Sequence, residues 1–149
     1  MVRMMIDVKE RSRRELDELF RNACAGDIPV GPTEGTALFA PGKRVGRVLA
    51  AVTRLLFWQG KEFVPETQHL KNLITPFGVR AIAANVYEDD SWVDGRRCIV
   101  LDYSTTSWVA RWVRDEIREV EPNHYLGIVY VRTRRLPLMF ALRSESRLI

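Results

Sequence analysis

The sequence is poor in the residues that most often carry metal and redox chemistry. Its 149 residues include two cysteines and two histidines, and neither pair has the close spacing of a zinc site or a CxxC motif. The glycines form neither a GxGxxG nor a GxxxxGK pattern, so the common phosphate-binding loops are excluded. No Ser-His-Asp order or nucleophile elbow is present. The sequence therefore predicts no metal and no cofactor.

Long apolar runs are missing as well. No stretch approaches the ~18 apolar residues that a membrane span requires, so no span is predicted. Residues 1–14 become charged before a signal-peptide core could form, which makes the cytoplasm the expected location. Two free thiols, Cys24 and Cys98, are the expected state in that compartment, and a disulfide between them stays open.

The charge balance is modest. Net charge is +4, from 23 basic and 19 acidic residues. Basic residues cluster at 11–14, 43–47 and 132–135, and such clusters can bind nucleic acid. We favour solvated helix faces and a hairpin tip, because no recognised nucleic-acid motif accompanies them. No nucleic-acid partner is expected, and a homodimer stays open.

Two amphipathic helices are predicted, at about 12–24 and 43–57. In the first, Ser12 and Glu15 match a capping box, and Gly26 is expected to end the helix. Its apolar stripe consists of Leu16, Leu19, Phe20 and Ala23. The second has an apolar stripe opposite a basic side, which is typical of a helix packed on a sheet and also compatible with a membrane surface or a protein partner.

Residues 79–104 predict an antiparallel hairpin. Two β-rich runs flank a polar tip that ends in Asp94-Gly95, a pair that favours a type I′ turn. The tight turn predicts that Tyr87 faces Asp102. One side of the hairpin should carry Val79, Ala81, Ala83, Asn85, Tyr87, Cys98, Val100 and Asp102. Neither side is purely polar, which favours a barrel with a partly polar interior over a solid sandwich.

Residues 114–131 predict a second hairpin. Pro122-Asn123 suits the central positions of a type I turn, and His124 would adopt the left-handed conformation that follows. This register places Glu116, Arg118 and Val120 on one side with Leu126, Ile128 and Tyr130. Gly127 inside a strand indicates a bulge, a bend or the close approach of another group.

Four stretches carry a resemblance to a known group of proteins. They are WQGK at 58–61, SWVDGRRCIVLDYS at 91–104, RDEIREV at 114–120 and YLGIVY at 125–130. They resemble small uncharacterised bacterial proteins with a lipocalin-like (calycin) barrel. The resemblance implies a central cavity for an apolar small molecule and identifies no catalytic residue. We therefore expect a single domain, 1–149, of the α+β class: an antiparallel lipocalin-like β-barrel or a strongly curved meander, with two helices (about 12–24 and 43–57) packed against it.

Three titratable residues are candidates for catalysis: Asp102, His69 and Glu116. Asp102 interrupts an apolar run, where a carboxylate needs a partner. It could be an acid/base or ligand-orienting group, or a strand-end residue that accepts backbone N–H groups from 104–106. His69 could face a cavity as an acid/base group, or be an exposed or satisfied strand histidine.

Strand aromatics and one arginine are the candidate ligand-binding residues. They are Trp58, Tyr87, Tyr103, Arg118 and Tyr130. Glu116 and Arg118 are two residues apart and share a strand side, with Tyr130 predicted across from Glu116. This trio could hold a polar ligand head group, or be a cross-strand ion pair that contributes little to stability.

Three functions stay open at this level. The first is the binding of an apolar or aromatic small molecule in a barrel cavity. The second is a cofactor-free isomerase, cyclase or lyase that uses Asp102, His69 or Glu116 as acid or base on a hydrophobic metabolite. The third is an interaction module that uses the helix at 43–57 or an edge strand. The sequence names neither the ligand nor the reaction.

Overall fold

The computed structural model describes residues 8–29, 31–39, 58–64, 69–74, 79–104 and 111–144. A 3-10 turn, Val8–Glu10, precedes the helix α1, Arg13–Asn22. The strands are β1 (Gly31–Phe39), β2 (Trp58–Val64), β3 (His69–Ile74), β4 (Val79–Asp90), β5 (Arg97–Asp102), β6 (Val113–Glu121), β7 (His124–Val131) and β8 (Arg134–Ser144). The second predicted helix, 43–57, lies outside the described residues.

The strands form an antiparallel sheet in chain order. Each strand pairs with the next, and β1 pairs with both β2 and β8, so the hydrogen-bonded order returns to its start. The antiparallel sheet and the α+β class were predicted correctly. In the described part of the chain, no helix is long and apolar enough to cross a membrane.

The helix α1 begins where the capping box was predicted. The Ser12 hydroxyl accepts the backbone N–H of Glu15 at 3.2 Å, which satisfies one of the donors that a helix N-terminus leaves free. The helix buries Leu16 and Phe20, as its apolar stripe predicted. It ends at Asn22, earlier than predicted, and Gly26 lies beyond the C-cap at Ala23. The expectation that Gly26 ends the helix was therefore wrong.

The two sides of the sheet bury different clusters. We call one side the apolar face; its buried members are Ala84, Val86, Ile99, Leu101, Tyr103, Ile117, Tyr125, Phe140 and Leu142. We call the other side the helix-covered face, because its members pack against Leu16 and Phe20 of α1. They are Leu38, Leu126, Ile128, Tyr130 and Met139. The side chains of α1 thus cover one face of β7, β8 and β1.

Gly127 of β7 confirms the prediction of a close approach. It pairs with Phe140 of β8, and a Cβ built on Gly127 would overlap the Phe140 ring. Only a residue without a side chain leaves room for the ring to pack flat across the strand pair. This contact holds β7 and β8 together on the apolar face.

The β6–β7 hairpin has its side chains on the predicted sides of the sheet, but its register differs by two residues from the expected pairing of Glu116 with Tyr130. Glu116 pairs with Ile128 and Arg118 pairs with Leu126, so both charged residues lie on the helix-covered face. The left-handed residue of the turn is Asn123, with φ 65°, and not His124 as predicted. Asparagine tolerates this conformation because its short polar side chain bonds locally.

The β4–β5 hairpin differs from its prediction by two residues. Asp90 pairs with Arg97, so residues 91–96 form a longer connection than a two-residue type I′ turn. Tyr87 therefore pairs with Val100, and Asp102 pairs with Asn85. An even shift keeps every side chain on its predicted side of the strand. The direct pairing of Tyr87 with Asp102 was wrong, whereas their shared side was right.

Candidate functional site

Two buried charged residues of β6 hold the β4–β5 connection onto the sheet. Glu116 and Arg118 are both fully buried, at 0% exposure. They are two residues apart in one strand and so lie on the same face. Both side chains bond to residues of this connection, Glu116 to Ser91 and Trp92 and Arg118 to Asp94. Glu116 and Arg118 therefore support residues 91–96 structurally.

Glu116 fixes the start of this connection. Its carboxylate accepts the Ser91 hydroxyl at 2.6 Å and the backbone N–H of Trp92 at 2.9 Å. The Arg114 guanidinium donates to the same carboxylate through Nε and Nη2, at 3.1 and 3.0 Å. A buried carboxylate is stable only with such partners. Glu116 thereby sets the position of Trp92.

Arg118 fixes the middle of the connection and the end of α1. Its guanidinium forms a two-pronged ion pair with Asp94, at 2.8 and 2.7 Å. Its other N–H groups donate to three backbone carbonyls, those of Phe20, Arg96 and Arg97, at 3.0, 3.1 and 3.1 Å. This ion pair lowers the pKa of Asp94 to about 2.

Two further arginines fasten α1. The Arg96 guanidinium donates to the backbone carbonyl of Arg21 in the last turn of the helix. Arg135 of β8 forms an ion pair with Asp17. The basic cluster at 132–135, expected to be a solvated hairpin tip, thus contributes one structural ion pair, and Arg135 is only partly exposed.

A surface groove lies beside the supported connection, with a volume of about 450 Å³. We call it the tryptophan groove. Its lining residues are Trp92, Asp102, Ser104, Arg111, Trp112, Val113, Arg114, Arg132 and Thr133. Asp102 and Arg114 are register partners in β5 and β6, so the groove has its floor on the side of the sheet that carries Glu116.

Two tryptophans in the groove are unusually exposed for their size. Trp92 is 50% and Trp112 is 47% exposed. Trp92 meets the Tyr130 ring edge-to-face, with centroids 5.0 Å apart, and the Arg114 guanidinium lies 4.2 Å from its ring centroid. Exposed tryptophans with fixed positions are typical of binding surfaces, because indole offers a large contact area at a small entropic cost.

Two arginines approach the Trp112 ring. The guanidinium carbons of Arg111 and Arg132 are each 4.6 Å from its ring centroid. The Arg132 backbone N–H also donates to the Trp112 carbonyl at 2.7 Å, which ties the β7–β8 turn to the start of β6. The groove thus combines aromatic rings with guanidinium groups.

Of the predicted catalytic residues whose side chains the structure describes, Asp102 lines the groove. Its carboxylate accepts the Tyr87 hydroxyl at 2.8 Å and the Ser104 backbone N–H at 2.9 Å. Burial opposes ionisation, but the hydrogen bonds from Ser104 and Tyr87 outweigh it and lower the pKa of Asp102. Burial and the same bond raise the pKa of Tyr87 to about 12. Asp102 is thus an ionised hydrogen-bond acceptor, and Tyr87 is its neutral donor.

The remaining predicted site residues are dispersed. Tyr130 pairs with Arg114, and not with Glu116 as predicted; burial and the nearby Glu116 raise its pKa. Tyr103 is a buried member of the apolar face, and its hydroxyl donates to Asp115 at 3.3 Å. Trp58 begins β2 and His69 begins β3.

Cys24 and Cys98 are both free thiols, as predicted. Burial raises the pKa of Cys98 to about 12, which leaves its thiol protonated and unreactive. In the ranges that the structure describes, no three His, Cys, Asp or Glu side chains are placed to share a metal ion.

Sequence reasoning missed most of the groove. Trp92, Trp112, Arg114 and Arg132 come from the β4–β5 connection, the start of β6 and the β7–β8 turn. The available signal was the alternation of tryptophan and arginine through residues 108–114. That stretch fits a helical face as well as a strand, and it gives no indication that Trp92 or Arg132 lies nearby.

Comparisons with known proteins find a similar fold and identify no activity. No family model matches the chain, and no curated protein matches it. A crystal structure of a protein from Thermomonospora curvata is similar, with a TM-score of 0.63 and 19% sequence identity. The alignment covers 92% of this chain and 90% of that one. At this identity the likeness concerns the fold alone.

Proposed function

We propose that the protein binds an aromatic small molecule in the tryptophan groove. The observation that carries this proposal is the pair of half-exposed tryptophans, Trp92 and Trp112, that line one groove of about 450 Å³. Ligand sites for small molecules have volumes of roughly 300–1,000 Å³ and combine apolar surface with a few fixed polar groups. A planar ring inserted beside the two indoles would bury the apolar area that they now expose to water.

The support beneath Trp92 favours binding over an incidental surface feature. Glu116 fixes the Trp92 backbone, Arg114 covers its ring, and Tyr130 packs against its edge. A side chain held in this way loses little entropy when a ligand arrives. The buried charges of β6 therefore act as positioning residues for the groove.

The fold proposed with this function is the lipocalin-like barrel that the sequence resemblance implies. The pairing of β1 with both β2 and β8 supports it. An internal cavity for an apolar ligand, with Trp58 and Tyr103 in its wall, stays a prediction, as do a cytoplasmic location, a homodimer and the absence of a nucleic-acid partner.

A cofactor-free isomerase, cyclase or lyase is the second candidate. Glu116 is fully engaged by Ser91, Trp92 and Arg114, and the lowered pKa of Asp102 makes it a weak base. The observation that favours an enzyme is the buried pair of Tyr103 and Asp115 beside the apolar face. A bound compound that is turned over by the wild type and left unchanged by Asp115→Asn would favour this candidate.

Thermal unfolding tests the binding proposal. Naphthalene-2-carboxamide, naphthalene-2-carboxylate and 2-naphthol serve as probes, since a ligand at 100 times its Kd adds about 2.7 kcal/mol of stability. At least one probe should raise the Tm of the wild type and of Trp112→Phe, and fail to raise that of Trp112→Ala. Ile28→Ala removes an exposed apolar side chain outside the groove and should respond like the wild type. Equal shifts in Trp112→Ala, or no shift in any protein, would contradict the proposal.

A further inference from the structure

We infer that the ligand of the tryptophan groove is an aromatic anion, a planar ring system that carries a carboxylate or phosphate group, and that Arg132 binds the anionic group. This inference rests on the proposed function and specifies its ligand class. Three observations carry it: the two guanidinium groups at one indole, the lack of a carboxylate partner for Arg132 among the described residues, and the backbone conformation of Arg132.

The first observation is the crowding of positive charge at Trp112. The guanidinium carbons of Arg111 and Arg132 each lie 4.6 Å from the centroid of the same ring. The two carbons are therefore separated by at most twice that distance. Like charges this close repel each other. The indole ring offsets part of the repulsion through its π face. An anion bound by Arg132 would offset more of it, and it would do so only when the ligand is bound.

The second observation concerns the partners of the groove arginines. Arg114 is neutralised by the Glu116 carboxylate at 3.0 Å. Arg132 forms no ion pair with any residue that the structure describes. The groove carboxylate, Asp102, instead accepts hydrogen bonds from Tyr87 and Ser104. The charge that remains available to a ligand is therefore the positive charge of Arg132.

The third observation is the backbone at Arg132. Its φ is 59°, in the left-handed region that is unfavourable for a residue with a Cβ. Two-residue hairpin turns favour glycine, asparagine or aspartate at such positions. An arginine placed where a smaller residue would be more stable is typical of a position used for binding.

The dimensions of the groove indicate a small occupant. A volume of about 450 Å³ matches one compact ligand, whereas a nucleic-acid strand requires a basic track that continues over several nucleotides. Of the basic residues close to the groove in sequence, Arg135 is paired with Asp17. Charge and size together therefore favour a single aromatic molecule with one anionic group.

Isothermal titration calorimetry tests the inference with probes of matched shape. Naphthalene-2-carboxylate and naphthalene-2-carboxamide differ in charge and share a ring, and 2-naphthyl phosphate distinguishes a phosphate site from a carboxylate site. We expect the wild type to bind one of the two anions at least tenfold more tightly than the amide. Arg132→Gln should reduce the affinity for the anion to that for the amide and leave the affinity for the amide unchanged.

The control is Arg134→Gln, which removes an exposed arginine two residues away and should bind all three probes like the wild type. If the amide binds as tightly as both anions, the inference is overturned and the proposed function stands. If no probe binds, both are overturned. A single-stranded oligonucleotide that binds more tightly than every naphthalene probe, and loses affinity in Arg132→Gln, would overturn the small-molecule occupant.

Discussion

Arg118 and Asp94 form a two-pronged ion pair, at 2.8 and 2.7 Å, that joins the centre of β6 to the β4–β5 connection. The same guanidinium caps the Phe20 carbonyl of α1 and lies 4.6 Å from the centroid of the Phe20 ring. One buried cation thus fastens two elements that are far apart in sequence to a single strand. Its loss should loosen both.

Asp94→Asn should lower the free energy of unfolding by about 3 kcal/mol, because it leaves the Arg118 charge buried without its counter-ion. The measurement is urea unfolding followed by circular dichroism. Asp89→Asn is the matched control. Its carboxylate meets Arg97 at 4.0 Å on the surface, with both side chains more than half exposed, so we expect a change below about 1 kcal/mol. Equal losses in the two variants would contradict the role assigned to Arg118.

The same ion pair predicts a pH dependence. The pKa of Asp94 is about 2 in the folded protein, below its ordinary 3.8. A carboxyl group whose pKa is lowered by folding stabilises the protein fully above its unfolded pKa, and this contribution is lost as the pH falls through the folded pKa. The loss should therefore develop between about pH 4 and pH 2. Unfolding measured across this window should be less pH-dependent in Asp94→Asn than in Asp89→Asn; parallel curves would show that Asp94 does not titrate as described.

Gly127→Ala should destabilise the β7–β8 pair by about 2–3 kcal/mol, because the new methyl group would overlap the Phe140 ring. Gly95→Ala is the comparison, since nothing lies near its Cβ position and its φ is 74°; backbone strain alone should cost about 1 kcal/mol. Adding Phe140→Leu to Gly127→Ala should recover part of the loss. If the double variant loses the full sum of the two single changes, the two residues are not in contact.

Arg132→Asn should raise stability while it weakens ligand binding. Asparagine tolerates a positive φ better than arginine, so we expect a Tm rise of about 2–4 °C for a gain near 1 kcal/mol in a chain of this size. The affinity for the preferred naphthalene anion should fall at least tenfold. Arg134→Asn, in the adjoining strand, should give neither effect. A lower Tm in Arg132→Asn would show that this arginine contributes to folding.

Asp102→Asn separates two roles of this carboxylate. Asparagine keeps one acceptor oxygen, so only one of the bonds from Tyr87 and Ser104 is lost, and the free energy of unfolding should fall by about 1 kcal/mol. Removal of a negative charge from the groove should raise the affinity for naphthalene-2-carboxylate. A loss of affinity would instead support the ligand-orienting role that the sequence suggested, and calorimetry on the purified variant distinguishes the two results.

Local patterns predicted those parts of the fold that depend on neighbours in sequence. The Ser12–Glu15 capping box, the buried stripe of α1 and the face on which the β6 and β7 side chains lie were all right, because each follows from residues a few positions apart. The Asp94-Gly95 pair predicted a two-residue type I′ turn between β4 and β5, and this prediction was wrong. Glu116, more than twenty residues further along the chain, holds Ser91 and Trp92 in a longer connection, and no local pattern reports such a contact.

Less of the candidate site than of the fold could be predicted from the sequence. Arg118 was predicted to bind a ligand. In the structure its N–H groups donate to the Asp94 carboxylate and to the backbone carbonyls of Phe20, Arg96 and Arg97, and ligand binding by Arg118 stays a prediction. The sequence shows that a charged residue lies in a strand that will be buried. It does not show whether the partner of that charge is a ligand or a distant turn of the same chain. The groove depends on Trp92, Trp112 and Arg132, which meet only because three chain connections lie together at one end of the sheet.

The central claim is that aromatic ligands bind between Trp92 and Trp112. Its most direct test is the two-dimensional NMR spectrum of the four tryptophan indole N–H groups, assigned by single Trp→Phe variants, during titration with naphthalene-2-carboxylate. We predict that the Trp92 and Trp112 resonances shift together with one saturation curve, and that the Trp58 resonance of β2 does not move. A shift of Trp58 with Trp92 and Trp112 unchanged would contradict the groove and favour an internal cavity.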